Sequence, residues 1–218
     1  MSATKVSARR SKDPAASEFD NRQAVSEGPC IAGIGASAGG YEAIRSFLHA
    51  MPADTGVAFV IVQHLDPTHV SLAAELFGKC TTMPVTEVRD GTRAEANHVY
   101  TCPPDKEISV RNGCLCLTAR STQAHLRLPI DLFFNSLGED RGAKAIGIVL
   151  SGTGTDGTLG LKAISAHGGV VLVQDPATAQ FDGMPRSALA AGIANYVLPV
   201  EKMPEVLASY ARHPYAAS

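Results

Sequence analysis

Four short apolar runs recur along this chain, and each is followed by a loop and then by a stretch with helical periodicity. The runs are CIAGIGA (30–36), VAFVIVQ (57–63), AIGIVLSG (145–152) and GGVVLVQD (168–175). Runs that are apolar at nearly every position are typical of strands covered on both faces. Their alternation with helices predicts an α/β fold, a doubly wound (Rossmann-like), mainly parallel sheet with helices on both faces.

One region departs from this alternation. Residues 97–118 contain the short strand-like runs HVYTCP, EISV and CLCLT, and Asn112-Gly113 supplies a hairpin turn between the last two. We therefore expect an antiparallel hairpin at one edge of the sheet. Beyond it, a helix is predicted to begin at Pro129, with Asp131 in the first turn, where a carboxylate suits the helix dipole.

Composition divides the chain into three parts. Residues 1–28 are polar, mixed in charge and without periodicity, which predicts a disordered tail, with a short amphipathic docking segment as the alternative. Residues 29–210 carry the apolar runs and are predicted to form one catalytic domain. Residues 211–218 are expected to form a short C-terminal tail.

Several classes of protein are disfavoured by composition. The formal net charge is −2, which does not suit a protein that binds nucleic acid through a basic surface. No apolar run approaches the roughly 20 residues that span a bilayer, and no secretory signal is recognisable. The five cysteines include no CxxC pair, so we expect reduced, mostly buried thiols, no metal site and a cytoplasmic location.

Three polar residues occupy equivalent positions after three of the apolar runs. Ser37 directly follows the first, His64 directly follows the second, and Asp156 lies in the loop after the third. Carboxyl ends of parallel strands meet at one edge of an open α/β sheet, where ligands bind. A nucleophile, a base and an orienting carboxylate are therefore predicted to converge as a catalytic triad.

The segment around the serine strengthens this hypothesis. Residues 35–39 read G-A-S-A-G and match G-x-S-x-G, a tight strand-to-helix turn that exposes a nucleophilic serine. The N-terminus of the following helix offers backbone N–H groups to an oxyanion. The chain order Ser, His, Asp differs from the Ser, acid, His order of α/β-hydrolases.

Other interpretations remain open on these residues alone. The glycines from Gly33 to Gly39 also fit a variant of the dinucleotide fingerprint, although Gln63-His64 stands where an acidic residue is expected. Taken singly, His64 could be structural and Asp156 a turn former. His69 is close enough to His64 to serve as an alanine control.

The chain from about Cys30 to Leu207 resembles the catalytic domain of the chemotaxis protein-glutamate methylesterase family, CheB. The resemblance is greatest to the esterase domain that begins fused methylesterase–methyltransferase proteins. It is carried by the motifs GIGASAGG (33–40), VIVQHLDP (60–67), NHVYTCPPD (97–105), LSGTGTDGTLGLKAI (150–164) and DGMPRSAL (182–189).

The resemblance implies that Ser37 is the nucleophile, His64 the base and Asp156 the orienting acid. It implies hydrolysis of glutamyl methyl esters on chemoreceptor signalling helices, with deamidation of glutamines as a related activity and no cofactor. A partner methyltransferase or kinase is a further candidate, and the oligomeric state is left open. The second hypothesis is a non-catalytic module that binds a receptor or signalling partner.

The sequence departs from the family pattern in three places. Only about 28 polar residues precede the domain, so we expect no phosphorylatable receiver domain within them. Ala38 stands where many relatives have a hydroxyl residue. Thr153 stands where methionine is frequent, and its loop, like Ala38, is a candidate for the backbone donors of the oxyanion.

Overall fold

The computed structural model describes residues 28–63, 72–120 and 128–212. Two sequence predictions, the disordered tail over 1–28 and the C-terminal tail over 211–218, fall almost wholly outside these ranges. Within the described ranges, no helix combines the length and apolarity needed to cross a membrane.

The strands follow the apolar runs of the sequence closely. Numbered in chain order, they are β1 (Cys30–Ala36), β2 (Val57–Gln63), β3 (Val85–Glu87), β4 (Thr92–Arg93), β5 (His98–Thr101), β6 (Lys106–Arg111), β7 (Cys114–Ala119), β8 (Ala145–Val149), β9 (Val170–Gln174) and β10 (Tyr196–Leu198). In the described part of the chain, seven of them form a parallel sheet in the order β10-β9-β8-β1-β2-β5-β3. The predicted parallel sheet is therefore confirmed.

The helices cover both faces of this sheet. They are α1 (Gly40–Ala50), α2 (Ala73–Gly78), α3 (Pro129–Arg141), α4 (Thr158–Ala166), α5 (Gly183–Ala190) and α6 (Met203–Ala211). One buried apolar cluster contains residues of α1 and α6, and the other contains residues of α3, α4 and α5. The sheet is thus the middle layer of three, as the doubly wound prediction requires.

Strand order creates a switch point beside β1. The chain runs from β1 through α1 to β2 on one side, whereas β8 pairs with β1 on the other side. Connections that leave in opposite directions open a crevice at the carboxyl ends of the two strands. Ser37 follows β1 and Asp156 follows β8, so both loops lie at this crevice.

The predicted hairpin forms, but not at the edge of the main sheet. Strands β6 and β7 pair in antiparallel register, and with β4 they make a separate three-stranded sheet within the described residues. Of the strand-like runs in residues 97–118, only the HVYT segment joins the main sheet, as β5, which pairs in parallel with β2 and β3.

Helix α3 is the physical reason for the hairpin's location. Ser136 Oγ accepts the N–H of Val110 at 3.0 Å, and the carboxylate of Asp140 accepts the N–H groups of Asn112 and Gly113. These bonds fasten the hairpin to a helix rather than to a strand edge.

Two glycines on the central strand let α3 approach closely. A Cβ on Gly33 would lie 2.7 Å from ring atoms of Phe133 and Phe134, and one on Gly35 would collide with Ile130. Contacts that short do not occur, so both positions need glycine. The result is that the N-terminus of α3 reaches the end of the sheet where Ser37 emerges.

Candidate active site

Ser37 lies in the turn that joins β1 to α1. Its N–H donates to the carbonyl oxygen of Ser151 at 3.0 Å, and its own carbonyl accepts the N–H of Gly40 at 2.8 Å. The first bond ties the serine to the end of β8, and the second starts the helix. The residue is partly exposed, which is compatible with the predicted role of a nucleophile that meets a substrate.

Small neighbours surround this serine. Gly39 has a φ of 68°, and a Cβ there would lie 2.8 Å from Ser151 Oγ. A Cβ on Gly152 would overlap the sulfur of Met184 and lie 3.1 Å from Ser37 Cβ. The two loops therefore approach each other closely only because both positions lack a side chain.

These contacts bear on the dinucleotide alternative. Gly33 and Gly35 face the side chains of α3, and Gly39 faces Gln180 and Ser151. The glycines that resemble a phosphate-binding loop are therefore accounted for by packing within the protein. No observation on the described residues favours a nucleotide site.

Ser151 and Gln174 support the turn, and the sequence analysis did not identify either. Ser151 Oγ donates to the carbonyl of Ala38 at 2.9 Å and accepts the N–H of Phe181 at 3.0 Å. Its N–H donates to Gln174 Oε1 at 2.8 Å, and Gln174 Nε2 donates to the carbonyl of Thr178 at 3.2 Å. A signal was present in the sequence, because both are polar residues at or just past the carboxyl end of a buried strand.

Asp156 lies in the loop between β8 and α4 and is only 2% exposed. Its Oδ1 accepts the N–H groups of Asp131 and Gly157, both at 2.9 Å, and its Oδ2 accepts the N–H of Ile130 at 3.1 Å. Ile130 and Asp131 are in the first turn of α3, where backbone N–H groups lack intrahelical acceptors. The carboxylate of Asp156 therefore caps the N-terminus of a helix other than the one it precedes.

Asp131 makes the reverse contact. The first-turn position predicted for it is confirmed, but its carboxylate turns to the neighbouring helix and accepts the N–H of Gly160, in the first turn of α4, at 2.7 Å. Burial raises the pKa of Asp131, and the nearby carboxylate of Asp156 adds to this, while the N–H of Gly160 acts against it. Two buried carboxylates thus exchange caps between α3 and α4.

His64, the predicted base, lies outside the described residues, and so does His69. Gln63, the residue before His64, ends β2 and is in register with Ala36, the residue before Ser37. The triad as a whole therefore stays a prediction, with two of its three members located at the crevice.

The described ranges contain no group of side chains suited to bind a metal ion. Across residues 28–63, 72–120 and 128–212, no three or more His, Cys, Asp or Glu side chains are grouped so that they could hold an ion. Cys102, the cysteine nearest the end of β5, is half-buried, and desolvation is the main cause that raises its pKa to about 12. A thiol with that pKa is a poor metal ligand and a poor nucleophile at neutral pH.

Comparison with known proteins places these features in a family. The family model described as CheB methylesterase matches residues 32–207. Protein-glutamate methylesterase/protein-glutamine glutaminase 3 of Burkholderia orbicola (strain AU 1054) is 38% identical over 185 residues, covering 84% of this chain and 55% of that protein. Protein-glutamate methylesterase/protein-glutamine glutaminase 2 of Burkholderia pseudomallei (strain K96243) is 36% identical over 182 residues, covering 83% and 53%.

The chain thus spans about half the length of the curated relatives that it matches. Among solved structures, the Thermotoga maritima CheB methylesterase catalytic domain aligns with a TM-score of 0.76 and 30% identity, covering 84% of this chain and 98% of that domain. Sequence, family model and fold agree over the same region, and the chain belongs to the CheB methylesterase family.

Proposed function

We propose that this chain is a protein-glutamate methylesterase that hydrolyses glutamyl methyl esters with Ser37 as nucleophile, His64 as base and Asp156 as orienting acid. One observation carries the proposal. The turn with Ser37 and the loop with Asp156 follow adjacent parallel strands at the switch point of the sheet. Relatives that match this region are named for that activity.

The chemistry is acyl transfer in two halves. Ser37 Oγ attacks the ester carbonyl while His64 takes the hydroxyl proton, and the tetrahedral intermediate collapses with transfer of that proton to the departing methoxide. Methanol leaves and a glutamyl-serine ester remains. His64 then deprotonates a water molecule, which attacks the ester, and the products are a free glutamate carboxylate and the regenerated serine.

Asp156 fits the role of the orienting acid because its position is fixed. An ionised carboxylate has about four acceptor sites, and backbone N–H groups of Ile130, Asp131 and Gly157 make three bonds to it. A further bond from the imidazole N–H of His64 is compatible with this set. It would select the tautomer in which the other ring nitrogen accepts the serine proton.

Two backbone N–H groups are the best candidates for the oxyanion hole. The N–H groups of Ser37 and Gly152 already donate to carbonyls of Ser151 and Phe181. Among the hydrogen bonds of the described residues, none uses the N–H of Ala38 or of Thr153. We assign the oxyanion to these two, which lie on the two loops that meet at Ser37.

The same mechanism extends to glutamine side chains. The relatives are also named protein-glutamine glutaminases, and an amide reaches the same acyl-enzyme when ammonia leaves in place of methanol. We propose methylated chemoreceptor helices as the substrate and the cytoplasm as the location. A methyltransferase or a kinase of the same signalling system is the proposed further partner.

The test is release of methanol from a receptor fragment carrying methyl-labelled glutamates, with Ser37→Ala as the matched control. Wild-type protein should release label and should form a covalent adduct with a fluorophosphonate at Ser37. Protein that binds the fragment without release or adduct would instead be the non-catalytic module. Equal release by wild type and Ser37→Ala would refute the assignment of the nucleophile.

A further inference from the structure

We propose that Asp131 is a positioning residue for the reaction, and that it acts by holding the loop that carries Asp156. The inference rests on the proposed esterase function. Asp131 touches neither substrate nor the serine in this assignment. Its effect is transmitted through the first turns of α3 and α4.

The geometry is a reciprocal pair of helix caps. Asp156, which comes two residues before α4, accepts N–H groups from the first turn of α3. Asp131, in the first turn of α3, accepts the N–H of Gly160 in the first turn of α4. The carboxylate of Asp156 is therefore held by α3, and the carboxylate of Asp131 is held by α4. A shift of either helix end would stretch both sets of hydrogen bonds.

The reciprocal caps require close packing between the first turn of α3 and the first turn of α4. A Cβ on Gly160 would lie 2.9 Å from the carbonyl oxygen of Asp131, and one on Gly138 would lie 3.0 Å from the backbone nitrogen of Ile164. Both glycines let the helix backbones approach within reach of a short aspartate side chain. Glycine in helices lowers their intrinsic stability, so the close approach is obtained at some cost.

Burying Asp131 beside a second carboxylate is unfavourable in itself, since desolvation and the neighbouring charge both oppose ionisation of Asp131. Asp131 is 5% exposed and Asp156 is 2% exposed. An apolar contact between α3 and α4 would stabilise the fold without this penalty. The pair of carboxylates instead fixes the orientation of the two helix ends relative to each other, because charge-assisted bonds to backbone N–H groups depend strongly on geometry.

The loop after β8 links the orientation of the helix ends to the position of the Asp156 carboxylate. Gly157, with a φ of 92°, is the N-cap of α4 and lies between Asp156 and the turn that Asp131 holds. Displacement of that turn rotates the carboxylate of Asp156 away from the imidazole it is proposed to orient. Misplacement by about 1 Å of a catalytic group can reduce a rate by about 10²-fold.

The experiment compares Asp131→Asn with Asp140→Asn in the full chain. Asp140 is a matched control, because it lies on the same helix and its carboxylate also accepts backbone N–H groups of another element, at the hairpin turn. We expect Asp131→Asn to lower kcat for methyl-ester hydrolysis by about 10- to 10²-fold with KM unchanged. Asp140→Asn should leave kcat within about 2-fold of wild type.

A double-mutant cycle identifies the route of the effect. In an Asp156→Ala background, Asp131→Asn should change the residual rate by less than about 3-fold, because the group through which it acts is gone. Multiplicative effects would overturn the inference, as would an Asp131→Asn variant with normal kcat. Failure of Asp131→Asn to fold, monitored by near-UV circular dichroism, would also overturn it, since Asp131 would then serve the fold in general.

The failure of this inference differs from failure of the proposed function. If wild-type protein releases methanol and labels at Ser37 but Asp131→Asn matches it, only the positioning role is wrong. If wild-type protein neither releases methanol nor labels, the esterase assignment itself is wrong, and the positioning role falls with it.

Discussion

The two loops that meet at the switch point are built on different principles. The turn with Ser37 is held by bonds between main-chain atoms and by the hydroxyl of Ser151. The loop with Asp156 is held by the carboxylate of Asp156 itself, through three backbone N–H groups. At the first loop these supporting bonds are made by atoms other than the hydroxyl proposed to react, whereas at the second the supporting group is the carboxylate proposed to orient the base. We therefore expect stability and activity to separate at the first loop and to change together at the second.

Ser37→Ala should give the largest effect, and on activity alone. Removing the nucleophile of a triad enzyme lowers kcat by roughly 10⁶-fold, while the main-chain bonds of the turn persist. The free energy of unfolding should stay within about 0.5 kcal/mol of wild type. Methanol release and urea denaturation measure the two quantities. A large loss of stability would mean that the serine side chain supports the turn after all.

Asp156→Asn should affect both quantities. The wrong imidazole tautomer lowers kcat by about 10⁴-fold, and the new amide NH₂ faces backbone N–H donors that need an acceptor. Leaving such groups unsatisfied costs about 1–3 kcal/mol, measurable by urea denaturation. Asp54→Asn, at an exposed aspartate, is the control and should change neither quantity. Unchanged stability in Asp156→Asn would contradict the difference between the loops.

Gly152→Ala tests the contact between the two loops. Its Cβ would overlap Met184 and press on Ser37, so we expect kcat to fall by about 10²-fold through displacement of Ser37, the proposed nucleophile. Gly78→Ala is the control, because the nearest atom to its Cβ is 4.0 Å away on Val85. Steady-state kinetics on both variants suffices, and equal kinetics would show that the loops are not packed as described.

The smallest effect concerns pH and stability at Asp131. Burial raises its pKa above the ordinary value of 3.8, so the folded protein binds this proton more tightly than the unfolded chain does. The stability that the group contributes is fully present below 3.8 and is lost as pH rises through the folded pKa. Relative to Asp131→Asn, wild-type protein should lose stability over that interval in urea titrations from pH 3 to 7. A constant difference would mean that Asp131 does not gain a proton on folding.

The parallel sheet could be predicted from the sequence because its central strands are apolar on both faces. The run from Val57 to Gln63 is rich in β-branched residues, which is typical of a buried strand, and the alternation of four such runs with helices predicts parallel order. The positions of Ser37 and Asp156 at strand ends followed from strand direction alone. His64 was predicted by the same rule and lies outside the described residues.

The contacts between distant helices were beyond that reasoning. Asp131 and Gly160 are 29 positions apart, and a helix dipole argument about Asp131 looks only at its own helix. The hairpin was recognised from Asn112-Gly113, but its attachment depends on Ser136 and Asp140, which the turn pattern does not contain. Local patterns predict elements, whereas side chains that cap a partner element decide where those elements dock.

The missing side chain of Gly35 has a consequence for protein engineering. Because nothing projects from that position, Ile130 can settle against the central strand and bring its N–H to Asp156. A structural template made only of the serine, the histidine and the aspartate would leave out the requirement for glycine at this position. Transplanting the proposed catalytic groups into another scaffold would therefore also require a glycine at the position equivalent to Gly35.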